Sequence, residues 1–141
     1  MLDEQLHKKI EEYIFSSLDG KIKFSLTPNN PRDFSLPDAP YLSDGTEPFI
    51  IFKVSIQRGS AAAIGNTTKR RLGVIRAEIY RNRDTSDREQ YRLLDIITPF
   101  LERKSFNGVL LKDASESGEY NSGNWTVTPW TFNFKTTQTL T

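Results

Sequence analysis

Apolar residues at the start of the chain recur at steps of three and four: Leu2, Leu6, Ile10, Tyr13, Ile14 and Leu18. Asp3, Glu4, Lys8, Lys9, Glu11 and Glu12 fill the positions between them, so the pattern predicts an amphipathic helix over about 2–18. Asp3 and Glu4 suit the positive end of its dipole, and Gly20 follows as a stop. Over 22–26 the period falls to two, with Ile22, Phe24 and Leu26 alternating with Lys23 and Ser25, as in a half-buried strand at a sheet edge. Pro28, Pro31, Pro37, Pro40, Gly45 and Pro48 then exclude both helix and central strand, and predict a long loop at about 27–48. A loop of that length is either a passive connection or a contact surface.

The clearest strand is Phe49 to Gln57, where Ile50, Phe52, Val54 and Ile56 share one face and Lys53, Ser55 and Gln57 the other. The small residues of 58–68, with Gly59 and Gly65, predict a flexible hairpin connection rather than a tight turn. A second strand over about 69–81 puts Ile75, Ala77 and Ile79 on one side and Val74, Arg76, Glu78 and Tyr80 on the other, giving a long antiparallel hairpin. Ser86 and Glu89 have capping-box spacing and predict a second helix, whose apolar face reads Tyr91, Leu94, Ile97 and Leu101 and which Pro99 kinks or ends early. A short strand is expected at 106–112, a polar loop at 113–124 and a long last strand from Trp125. Because Trp125 and Val127 differ in parity from Trp130, Phe132 and Phe134, a bulge near Pro129 is expected to shift the register. Residues 136–141 read as a tail. The elements together predict one α+β domain over 1–141: a mainly antiparallel sheet of four to five strands packed with two helices.

Composition narrows what such a domain does. The 141 residues suffice for one hydrophobic core, and 11% aromatic content argues for a folded chain despite a mean hydropathy of −0.54. Nineteen basic and eighteen acidic residues leave +1, so bulk attraction to nucleic acid or to a membrane surface is not expected. The absence of cysteine removes disulfides, thiolate metal sites and thiol nucleophiles. The charged N-terminus lacks the apolar core of a signal peptide, and no apolar run is long enough for a membrane helix.

Catalytic candidates are equally sparse. His7 is the single histidine, in the charged part of the first helix, so a Ser-His-Asp triad or a histidine metal site has one imidazole to draw on. The carboxylate pairs Asp3/Glu4, Glu11/Glu12, Asp84/Asp87 and Glu116/Glu119 fall on helix starts, a helix face or a polar loop, where solvation rather than a cleft is expected. The stretch from Gly59 to Lys69 departs from a phosphate loop, since Asn66 follows Gly65 and the chain goes on as a strand. The residues therefore predict no enzyme, no metal and no cofactor. What does gather is positive charge: Arg58, Lys69, Arg70 and Arg71 at the hairpin, then Arg76, Arg81, Arg83, Arg88 and Arg92. These either keep a strand edge soluble and pair with Glu78, Asp84 and Asp87, or form a surface for an acidic partner subunit or for passing DNA.

The order of elements, with Glu47-Pro48-Phe49-Ile50-Ile51-Phe52-Lys53-Val54, the bend Ala63-Ile64-Gly65 and the strand Lys69-Arg70-Arg71-Leu72-Gly73-Val74-Ile75, resembles the tail terminator (minor tail protein U-like) family of long-tailed bacteriophages. The resemblance spans almost the whole chain. It implies a structural virion protein, assembled in the host cytoplasm and placed at the head-proximal end of the tail. Subunits would form a ring, usually hexameric, that stops tail-tube polymerisation and meets the head-tail connector, with DNA present only as it passes through. The partners implied are further copies of the chain, the tail tube protein and the connector. Arg58, Lys69, Arg70 and Arg71 are the expected interface residues. Another head-tail joining protein and a nucleic-acid-binding module using the same basic hairpin are the alternatives.

Overall fold

The computed structural model describes residues 3–22, 24–26, 48–61 and 69–136, and of 3, 25, 58–61, 69 and 70 the backbone alone. The elements in chain order are α1 (Asp3–Leu18), β1 (Phe24–Leu26), β2 (Phe49–Ala61), β3 (Lys69–Asn82), α2 (Arg88–Leu101), β4 (Ser105–Phe106), β5 (Val109–Glu116), β6 (Tyr120–Ser122) and β7 (Trp125–Thr136). They build one sheet in the order β1-β2-β3-β7-β5-β4, with β6 beside β7. All pairings are antiparallel except β1 with β2. The architecture is the expected α+β arrangement of two helices on a mainly antiparallel sheet, and β1 lies at the edge, as its short alternation suggests. The predicted loop at 27–48 lies outside the described residues apart from Pro48, as do 62–68 and 137–141. Arg58 to Ala61 continue β2 rather than starting a connection, and Thr136 ends β7 rather than opening a tail.

Both helices lie on one face of the sheet. The α1 stripe of Leu6, Ile10, Ile14 and Leu18 is buried in one cluster with Ile50 and Phe52 of β2, Ile75, Ala77 and Ile79 of β3, Leu93, Ile97 and Leu101 of α2, and Phe132 and Phe134 of β7. Removing each such side chain from water stabilises the fold by roughly 1.5–3 kcal/mol. Tyr13 ties the two helices together: its hydroxyl donates to the Phe100 carbonyl (2.8 Å), one of the last-turn acceptors without a helical donor, and its ring stacks on Phe106 at 3.7 Å.

Several local expectations are corrected. The second helix buries Gln90, Leu93, Ile97 and Leu101, so its inward face is turned from the predicted one and Tyr91 stands exposed. The capping box does not form. Asp87 is the N-cap residue, Ser86 Oγ accepts from the Arg88 amide (3.2 Å) rather than from that of Glu89, and the Glu89 carboxylate is held by Arg92. Pro99 lies inside α2, which runs on to Leu101, because the bond it deletes falls in the solvent-facing last turn.

The single strand expected at 106–112 is the hairpin β4–β5 around Asn107-Gly108, whose positive φ values of 45° and 83° suit a tight turn of the mirror type. The polar loop expected at 113–124 holds the end of β5 and all of β6, which raises the sheet to seven strands. The register slip expected at Pro129 is absent: β3 and β7 pair without a break from Leu72↔Lys135 to Asn82↔Trp125. The shift lies in β5 instead, between Leu111 and Ala114.

The parity change along β7 has another cause, which is that the sheet is buried on both faces. Phe132 and Phe134 face the helices. Trp125 and Val127 face the other way and join Phe49, Ile51 and Tyr80 in a second, smaller cluster. There Phe49 stacks on Tyr80 at 4.8 Å and meets the edge of Trp125 at 5.0 Å.

Candidate interface: the open face and basic end of the sheet

Three places bring polar chemistry together. His7 is the first: its Nε2 lies 3.2 Å from the Val54 carbonyl, an acceptor only, so that nitrogen carries the proton. Its Nδ1 lies 3.3 Å from Glu11. The contact with Val54 holds the first turns of α1 to β2, and the one with Glu11 lies within α1.

The second is Arg81, whose guanidinium is nearly buried at the end of β3. It donates to the Thr85 carbonyl, to Asp87 Oδ1 and to Glu119 Oε1, each at 2.8 Å. This clamp joins β3, the start of α2 and the β5–β6 connection, and it occupies the Asp87 carboxylate that would otherwise cap the helix. Asp84/Asp87 and Glu116/Glu119, read as solvated pairs, are all exposed, and one member of each, Asp87 and Glu119, meets the other through Arg81.

The third lies on the sheet face away from the helices. Cross-strand register aligns Lys53, Arg76, Thr131 and Ser115 in one row over four strands. Glu78 sits in the next row, its carboxylate buried, 3.2 Å from Lys53 Nζ and 3.2 Å from Arg76 Nε. Tyr120 donates to Glu78 at 3.4 Å. Burial first, and then the Glu78 charge and the neighbouring Tyr120, push the Tyr80 phenol well above its ordinary range; burial and Glu78 also raise Tyr120. Both phenols are therefore neutral hydrogen-bonding groups at physiological pH, unsuited to act as bases.

No group of three or more metal-ligating side chains occurs among the described residues. Two surface depressions are formed by described residues. One is polar, bounded by Asn82, Arg83, Asp84 and Asn124; the other is largely apolar, beside α1, between Phe15, Glu11 and Leu26. No helix among the described residues is long and apolar enough to cross a membrane.

Of the four interface residues read from the sequence, the backbone places Arg58 directly opposite Arg71, and Lys69 opposite Ala61, at the far end of the β2–β3 hairpin. The side chains of Arg58, Lys69 and Arg70 lie outside the description. Arg71 is partly buried, and its amide donates to Thr136 Oγ1 (2.9 Å) at the last residue of β7. Beyond that bond the hairpin has no third strand among the described residues. The expected pairing of basic residues with Glu78 and Asp87 is met by Arg76 and Arg81, and what sequence reasoning missed is Lys53, which joins Arg76 at Glu78. Its signal was present in the alternation, because Lys53, Arg76 and Glu78 all occupy the polar parity of their strands.

No protein-family model matches the sequence, and no curated protein is similar to it. Among solved structures, one whose label states no activity, partner or assembly superposes with a TM-score of 0.60 over 100% of this chain and 99% of its own, at 10% identity. That likeness establishes the fold and nothing further.

Proposed function

We propose that this chain is a structural subunit of a bacteriophage tail, forming a ring that caps the tail tube, ends its polymerisation and meets the head-tail connector. The observation that carries the reading is the β2–β3 hairpin. Its paired strands run from Phe49↔Tyr80 to Ala61↔Lys69, whereas β1 covers only Ile50 to Phe52 and β7 ends at the level of Arg71. A two-stranded arm reaching past its sheet buries too little apolar surface to be stable alone, so it gains most from a neighbouring molecule. The resemblance of the element order to the tail terminator family supplies the rest of the argument.

Electron microscopy of isolated tails incubated with the purified protein tests the proposal. The expected image is a single ring of density at the end of the tube that joins the neck. Density spread along the tube, or none at either end, would overturn it. A mass measurement of the protein with and without tails should show an oligomer that forms on the tube.

A further inference from the structure

Charge is divided unevenly over the fold although the whole chain is nearly neutral. The adjacent central strands β2, β3 and β7 hold eight of the nineteen basic residues and one of the eighteen acidic ones, Glu78. The remainder of the chain is correspondingly acidic. Glu78 is itself withdrawn from the surface, with a carboxylate 5% exposed beneath Lys53 and Arg76, whose side chains are 47% and 39% exposed. Of the eight, Lys53, Arg76 and Lys135 have described side chains on the face away from the helices, where Glu78, buried, is the one carboxylate of these three strands.

Between the cations stand small hydrogen-bonding groups. After the row of Lys53, Arg76, Thr131 and Ser115 come Ser55, Val74 and Asn133, then Gln57, Leu72 and Lys135. Ser55, Gln57 and Asn133 are exposed, and no helix covers them. Strand and residue spacing make this area roughly 15 Å on a side, the length of about four base pairs of duplex.

We propose that this face binds the sugar-phosphate backbone of double-stranded DNA without reading its sequence. Lysine, arginine, serine, threonine, asparagine and glutamine are the side chains that contact phosphates. The cores of protein–protein interfaces are instead rich in aromatic residues and poor in lysine, and the three rows contain no aromatic side chain. An acidic protein segment is therefore the weaker fit. The inference stands on charge placement and does not require the ring assignment; within a ring it makes this the face that borders the DNA path.

The test is titration of a labelled 30-base-pair duplex of arbitrary sequence with the full chain, repeated as salt rises from 50 to 200 mM. Binding should weaken by roughly fortyfold over that range if the three cations Lys53, Arg76 and Lys135 neutralise about three phosphates. Asn133→Asp and Ser55→Asp each add a carboxylate to the face without removing a contact, and should each weaken binding severalfold, while Ser16→Asp on the exposed side of α1 leaves it unchanged. Circular dichroism checks that each variant is folded. The proposal fails if the duplex does not bind at 50 mM salt, or if the two face variants bind as tightly as the parent. It fails equally if polyglutamate displaces the duplex at matched charge, the outcome an acidic protein partner would give. None of these results bears on whether a ring forms on tails.

Discussion

Gly73 stands in the middle of β3, opposite Ile56 on one side and Phe134 on the other, where the Phe134 ring lies over the missing side chain. A β-carbon there would collide with the Ser55 carbonyl oxygen and with that ring. The backbone atom cannot swing aside, so Gly73→Ala should destabilise the fold by about 2 kcal/mol or more, read as a lower midpoint in urea denaturation. Tyr80 makes a prediction of a different kind. Its folded-state value is raised above the ordinary 10, so below pH 10 the phenol is neutral in both folded and unfolded chains and exerts no penalty. Above pH 10 the unfolded phenol ionises first, and stability should fall as pH rises. Thermal melts between pH 9 and 11 should show that decline, and Tyr80→Phe should flatten it.

At the level of elements, α2 separates what periodicity reveals from what it leaves ambiguous. Leu93 and Leu94 are both apolar, so the sequence supports two faces one residue apart; Gln90, a polar side chain that is nevertheless buried, hides the true one. Leu93→Ala should therefore cost about 2–4 kcal/mol, whereas Tyr91→Ala should change stability by less than about 0.5 kcal/mol, a contrast that denaturant titration measures directly. The long hairpin and α1 were legible because each keeps one period and one buried face. Two short strands were not. Tyr120 to Ser122 lie at the surface and carry no apolar alternation, while β4 is two residues long, and only the Asn107-Gly108 pair marked its turn. The basic residues of the candidate surface could be read individually, but their alignment into rows depends on the β3–β7 register, a pairing between segments far apart in sequence.

Across the whole molecule, two clusters on opposite faces share the same three strands, so neither can lose its packing without disturbing the sheet that carries the other. Phe49→Ala, which empties the centre of the smaller cluster, should lower stability by about 3–5 kcal/mol. Because Trp125 belongs to that cluster and Trp130 packs on the larger one, tryptophan fluorescence and far-ultraviolet circular dichroism should follow a single coincident transition. Two separate transitions would show that the faces unfold independently.

The place of β7 has a further consequence in time. It is the last described strand in the chain, yet it lies between β3 and β5 at the centre of the sheet, and its partner residues on β3 precede it by tens of positions. During synthesis the β2–β3 hairpin leaves the ribosome with one edge of β3 unpaired until β7 follows. Pairing over such distances is slow, because a long loop must close before its contacts form. The basic face, built from both, thus comes into existence only after β7 has been synthesised.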